Sequence, residues 1–200
     1  NIKQIKWLLF SCLLLLMSMI AFSSHNKKPE VVGFHGSYEY FQTVDDLFNE
    51  ATDVLEITVI EETRAFVMID FPIHSFEAEV KHVYKGNLNK EDRIIVNEMG
   101  GIYYPHLFGD PKQPRQEKPI EMKIEGADIM KPGDHLVIFT MLDDELNDGS
   151  YTQFGLWQSK FIIKGESINR GVENELYPDN LLNSVDEFIE KLEAVKAKNE

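Results

Sequence analysis

In DVLEITVIEE, residues 53–62, Leu55, Ile57 and Val59 share one parity while Glu56 and Thr58 share the other. SFEAEVKHVY repeats the device, with Phe76, Ala78, Val80, His82 and Tyr84 alternating with Glu77, Glu79 and Lys81. A period of two places successive side chains on opposite faces of a strand, so both runs read as half-buried β-strands. RAFVMID, DRIIVNE, HLVIFTML and WQSKFIIK add four further β-rich runs bounded by Pro, Gly, Asn and Asp. HLVIFTML is apolar at both parities, which predicts a central strand covered on each side. About six such strands, with short helices at the edges, predict a mostly β fold: a small antiparallel barrel, closed or nearly so.

Helical patterning is confined to two places. TVDDLFNEA offers Thr43 as a cap, with Asp46 three residues on, so a short N-terminal helix begins there. SVDEFIEKLEAVKAKN pairs Ser184 with Glu187 and sets Val185, Phe188, Ile189, Leu192 and Val195 on one stripe, predicting a C-terminal helix packed outside the barrel. Lys85-Gly86-Asn87 falls between two alternating runs and reads as a hairpin connection. Gly100-Gly101 reads as a strand exit where the chain bends sharply into a long loop, residues 100–133. Residues 24–42 read as an irregular lead-in, and 43–198 as one barrel domain.

Lys3 and Lys6 precede the uncharged run Trp7–Phe22, 16 residues, after which the chain turns polar. That order is the grammar of a signal peptide spanning 1–23, with Ala21 and Ser23 as the small residues before a cut. A bilayer-crossing helix wants about 20 apolar residues, so a retained membrane anchor through 7–22 is the second reading, and lipidation at Cys12 the third. Cys12 is the sole cysteine. Beyond residue 23, disulfides, zinc–thiolate sites and cysteine nucleophiles are therefore excluded. The expected location is extracytoplasmic, either secreted or held at the outer face of the cell membrane.

From residue 30 onward the chain carries 16 basic and 34 acidic side chains, a net of −18. Nucleic acid and anionic lipid surfaces are repelled by such a domain, whereas cationic partners are not. No Gly-x-Ser-x-Gly elbow, His-Glu-x-x-His, phosphate-cradling loop or dinucleotide fingerprint is present. The histidines stand at 25, 35, 74, 82, 106 and 135, with no pair at helical i, i+4 spacing. LDDELNDGS fails as a calcium loop, because Leu146 falls where an oxygen ligand is needed, and Asp148-Gly149 reads as a turn. Neither a cofactor nor a metal is expected.

A short helix running into ATDVLEITVIEE, a strand ending VKHVYKG, another ending IIVNEMGG, and KPGDHLVIFTML follow one another in a fixed order. This order resembles the oligonucleotide/oligosaccharide-binding (OB) barrel of the netrin and tissue-inhibitor-of-metalloproteinase (TIMP) type, in particular its cysteine-poor bacterial secreted members. The resemblance spans roughly residues 43–165 and implies an OB-like barrel in an exported protein, with no assigned activity. The animal inhibitors reach a protease zinc through an N-terminal cysteine, which has no counterpart at Ser24 or Asn26. Their mechanism does not transfer. The expected function is a non-enzymatic binding or inhibitory module that engages a protein or cell-wall component through the rim loops. The alternatives are an extracytoplasmic hydrolase with a dispersed His/Asp/Glu site and a structural envelope protein. The candidate recognition residues are Tyr103, Tyr104, His106, Phe108 and Trp157, aromatic or apolar groups of loop 100–133 and of QFGLWQ.

Overall fold

The computed structural model describes residues 28–34, 41, 43–104, 118–169 and 184–199. The fold is mostly β, with two α-helices among the described residues, one of them C-terminal. Helix α1, Val44–Glu50, starts where predicted: the Thr43 hydroxyl oxygen accepts the Asp46 N–H at 3.1 Å and donates to the Asp46 carboxylate at 2.7 Å. Asp45 and Asp46 also complement the positive end of the helix dipole. Seven residues are too few for a helix to hold alone, so packing of Val44, Leu47 and Phe48 maintains it. Helix α2, Val185–Asn199, is capped by Ser184, which accepts the Glu187 N–H at 3.2 Å, and buries Phe188, Leu192 and Val195.

Two strands dominate the sheet: β2, Asp53–Met68, and β3, Phe71–Lys85, paired antiparallel along their length. DVLEITVIEE and RAFVMID, read as separate runs, are one strand, because register shifts absorb the irregularity between them. Strand β4, Arg93–Met99, follows β3 antiparallel, so the runs around 54–61, 76–84 and 92–98 are consecutive antiparallel neighbours. Strand β7, His135–Leu142, lies on the other side of β2. Strand β8, Tyr151–Gln153, then bridges β4 and β7, giving a circuit β2–β3–β4–β8–β7–β2. The sheet closes only partly, since β4 and β8 share just the pairs Val96↔Tyr151 and Asn97↔Thr152. That contact is parallel, which corrects the expectation of a wholly antiparallel sheet. A connection as long as 100–150 brings the chain back to the same end, so the returning strand need not reverse. Strands β9, Lys160–Lys164, and β10, Ser167–Asn169, extend the sheet beyond β7.

Three strands form a second, smaller sheet in the order β1-β6-β5: β1, Glu30–Phe34; β5, Gly101–Tyr103; and β6, Ile120–Ile124. Part of the irregular lead-in and part of loop 100–133 are therefore strands, which corrects both expectations. Each is short, and β1 finds its parallel partner 90 residues away (Glu30↔Ile120), where local alternation carries no signal. Gly100-Gly101 makes the sharp bend between sheets, at φ 112° and 91°. A Cβ on Gly101 would lie 2.5 Å from Ile129 Cδ1 and 2.8 Å from the His74 ring, so backbone alone fits. Gly86 is likewise at positive φ, 115°, with the Asp53 carboxylate where a side chain would go.

Apolar side chains gather on both faces of the large sheet. Leu55, Ile57, Val59, Phe76, Ala78 and Val80 fill one cluster with Ile94, Val96, Leu136 and Ile138. Val54, Tyr84, Val137, Phe139 and Phe161 fill the other, against Phe48 of α1 and Phe188 of α2. Strand β7 serves both, as the run HLVIFTML predicts. Parity does not persist along β3, however: Glu56 pairs with His82 but Ile57 with Val80, so Lys81 is the extra residue of a bulge. Tyr84 consequently turns to the helix-covered face and Val83 to the face of Val80, while His82 is exposed. The shared face read for Val80, His82 and Tyr84 is thus corrected.

One charge pair is sealed inside. Lys160 Nζ donates to Glu98 Oε1 at 2.6 Å and to the Asp128 carbonyl at 2.5 Å, with the two side chains 1% and 5% exposed. Glu98 Oε2 also accepts the Met130 N–H at 2.6 Å, so this cluster ties β9, β4 and the segment before β7 together.

Candidate functional site

The pairs joining β4 to β8 stop at Asn97↔Thr152, and a cavity of about 290 Å³ lies where the strands part. Its walls are apolar: Met68 ends β2, Ile73 and Met99 are cross-strand partners on β3 and β4, Met141 and Leu142 end β7, and Leu156 follows β8. Asn97, Thr152 and Gln153 supply polar groups, and Asp143, Asp144 and Glu145 flank the opening of the following turn. Ile73, Asn97 and Met99 have the parity opposite to Phe76 and Val96, so the cavity lies on the face turned away from the cluster around Val80.

The 143–150 turn is latched over this face by a chain of hydrogen bonds. Asp143 accepts the Leu146 N–H at 3.0 Å and Asn97 Nδ2 at 3.0 Å; Asn97 Nδ2 also donates to Ser150 Oγ at 2.7 Å. Ser75 Oγ donates to Asn97 Oδ1 at 2.6 Å, and Arg64 reaches both Ser75 Oγ at 3.0 Å and Asp148 at 2.6 Å. These contacts explain LDDELNDGS as a built turn, with the Asp143 and Asp148 carboxylates engaged by protein donors. Among the described residues, no group of three or more His, Cys, Asp or Glu side chains gathers to hold a metal ion.

The Ser150 hydroxyl, and then the Arg64 guanidinium, hold the Asp148 carboxyl down at about 2 from its ordinary value of 3.8. A carboxyl depressed on folding adds stability above its unfolded value and withdraws it as pH falls through the folded value. The latch is therefore expected to loosen between about pH 4 and pH 2. The protection factor of the Ser150 amide, its exchange rate relative to the intrinsic rate at each pH, should fall as pH drops through that window in the native protein, and in Asp148→Asn should be low and nearly flat with pH. Equal pH dependence in both proteins would exclude Asp148 as the latch.

At the mouth, Asp144 and Glu145 are exposed, and neither takes part in an ion pair among the described residues. Two large apolar side chains are exposed to water: Leu142, of the cavity lining, at 51%, and Ile69, next in sequence to the lining residue Met68, at 77%. Gln153 is only 7% exposed, yet its side-chain nitrogen has no hydrogen-bond partner among the described residues. A buried donor in that state is costly unless something meets it. Leu156 adds strain to the wall, with φ at 55°. At about 290 Å³ the cavity stands at the lower end of the range of ligand pockets, about 300 Å³ upward. His74, His82 and His135 lie elsewhere, facing Glu62, Glu193 and Glu56 at 2.8, 3.4 and 2.6 Å.

The sequence-predicted residues are dispersed. Tyr103 pairs with Ile120 at the end of β5 and is half-buried, while Tyr104 is 44% exposed beside Ile102, also 44%. His106 and Phe108 lie outside the described residues. Trp157 is 2% exposed, packed with Ile124 and Ala127 under the small sheet, so its expected place at an open rim is corrected. A 3₁₀ turn over Leu156–Ser159 directs it inward. Met99 and Leu156 touch this cluster and also line the cavity, so Trp157 backs the cavity wall. Met68, Met99, Met141 and Gln153 escaped sequence reasoning, since isolated residues on four strands form no motif. The acidic run 143–145 was visible, but only as a turn.

Fold and site together define a mostly β protein with an acid-rimmed, methionine-lined cavity where its main sheet fails to close. Set against known proteins, the chain matches no protein-family model and no curated protein.

Proposed function

We propose that the chain is an exported, non-enzymatic binding module on an OB-like barrel of the netrin/TIMP type, which captures a protein partner by taking one of its side chains into the cavity beside Asn97 and Gln153. The observation that carries this reading is the cavity itself: flexible thioethers on its walls and, at its mouth, carboxylates that form no ion pair among the described residues. Methionine is the residue of adaptable binding surfaces, because its unbranched chain and polarizable sulfur repack around different guests. The five-strand circuit supports the barrel reading, since an OB fold is a five-stranded, partly open barrel. The signal-peptide pattern of residues 1–23 supports a location outside the cytoplasm, secreted or at the outer face of the membrane. No helix among the described residues is long and apolar enough to cross a membrane, and segment 7–22 lies outside them.

A second surface has its own support. Val31 at 59% exposure and Val32 at 38% stand on β1, with Ile102 and Tyr104 across the small sheet, an apolar concentration around the aromatic site read from the sequence. Labelled methionine methyl groups separate the two readings. When cell-envelope proteins are titrated in, signals of Met68, Met99 and Met141 should shift while that of Met130, 1% exposed in the opposite cluster, stays. Shifts confined to Met122, in the small sheet, together with lost binding in Tyr103→Ser/Tyr104→Ser, would transfer the function to the small sheet.

A further inference from the structure

Met68 and Phe71 pair across a two-residue turn made by Ile69 and Asp70, at φ 49° and 69°. Two-residue hairpin turns with both φ positive belong to Asn-Gly and its kin. A β-branched residue there is a backbone outlier, and leaving its side chain 77% in water adds a second penalty. Turn chemistry and burial therefore both oppose isoleucine at 69. Its neighbour Met68 lines the cavity, and Leu142, the other large apolar side chain exposed near it, lies on the same rim. Asp144 and Glu145 complete the rim without a cationic partner among the described residues. Gln153 also lines the cavity, though its side-chain nitrogen is buried and without a hydrogen-bond partner among the described residues.

We infer that Ile69, Leu142, Asp144 and Glu145 form, with the cavity, a docking surface for a basic amphipathic polypeptide segment, and that Ile69 is a recognition residue set in a turn that disfavours it. The inference rests on the cavity reading above and gives its partner a chemistry. Apolar side chains of the segment cover Ile69 and Leu142 and fill the methionine-lined space, and its lysines or arginines meet Asp144 and Glu145. A polyamine or a polycationic glycan has the charge but no apolar side chain for the cavity. An anionic surface is repelled by the domain's net charge of −18 over residues 30–200.

The test uses the full chain and two synthetic amphipathic peptides, one of leucine and lysine and one of leucine and glutamate. The lysine peptide should bind and shift the Met68, Met99 and Met141 methyl signals, and the glutamate peptide should do neither. Asp144→Asn/Glu145→Gln should weaken binding about three- to tenfold with the melting temperature unchanged. Ile69→Asn/Asp70→Gly should raise the melting temperature while weakening binding about tenfold, opposite signs that a purely structural turn would not give. Equal binding of both peptides, spermine binding as tightly as the lysine peptide, or a stabilised turn variant with undiminished affinity would each overturn the inference. If envelope proteins shift the three methionines and the lysine peptide does not, the basic-segment inference falls while the cavity reading stands. If neither shifts them, both fall.

Discussion

Glu98→Leu is expected to destabilise the protein by about 3–5 kcal/mol, measured by urea unfolding, because it leaves the Lys160 ammonium uncompensated in the interior. Lys160 is fully buried, and its remaining partner among the described residues would be the carbonyl of Asp128 at 2.5 Å. The Met130 N–H, which Glu98 accepts at 2.6 Å, loses its acceptor in the same step. Lys160→Met should cost a similar amount by stranding the carboxylate. The double variant Glu98→Leu/Lys160→Met should cost clearly less than the two single losses added, since apolar replacement of both partners removes the need for pairing. A single-variant loss below about 1 kcal/mol would mean that water reaches the pair, and that the cluster does not tie β9 to β4.

Val80→Asp is expected to unfold the domain or cost several kcal/mol, since an unpaired carboxylate would enter a fully apolar cluster. Val80 is 0% exposed among Leu55, Ile57, Val59, Phe76 and Ala78. The informative control is His82→Gln, two residues along the same strand, expected to stay within about 0.5 kcal/mol. His82 has half its side chain in water and, among the described residues, meets Glu193 at 3.4 Å and the Tyr84 ring at 4.5 Å between centroids. Simple alternation gives Val80 and His82 one face; the bulge at Lys81 separates them. Comparable losses at both positions would contradict that bulge, whereas a near-neutral His82→Gln beside an unfolded Val80→Asp supports it.

Local chemistry alone determined several features of this protein. Thr43 and Ser184 announce their helices because a hydroxyl beside the first turn satisfies backbone donors that have no other partner. Alternation at 53–62 and 75–84, and apolarity at both parities of 135–142, follow from which faces touch a core, and that requirement acts on each strand separately. Gly100-Gly101 announces a bend for the same local reason. Tertiary structure decided everything that depends on two distant segments meeting. Strand β1 exists because Glu30–Phe34 lies beside β6, and the parallel β4–β8 contact because a long connection returns the chain to one end. Parity past Lys81 is set by a register slip with β2 that no run of β3 records by itself. The cavity is the extreme case: Met68, Met99, Met141 and Gln153 each occupy an unremarkable place in their own strand, and they become a site only where the sheet stops closing. Trp157 shows the same dependence in reverse, an aromatic that reads as a rim residue until the turn at Leu156 folds it inward. A sequence constrains what each segment must bury or cap, whereas the place where burial stays incomplete is a property of how all the segments pack together.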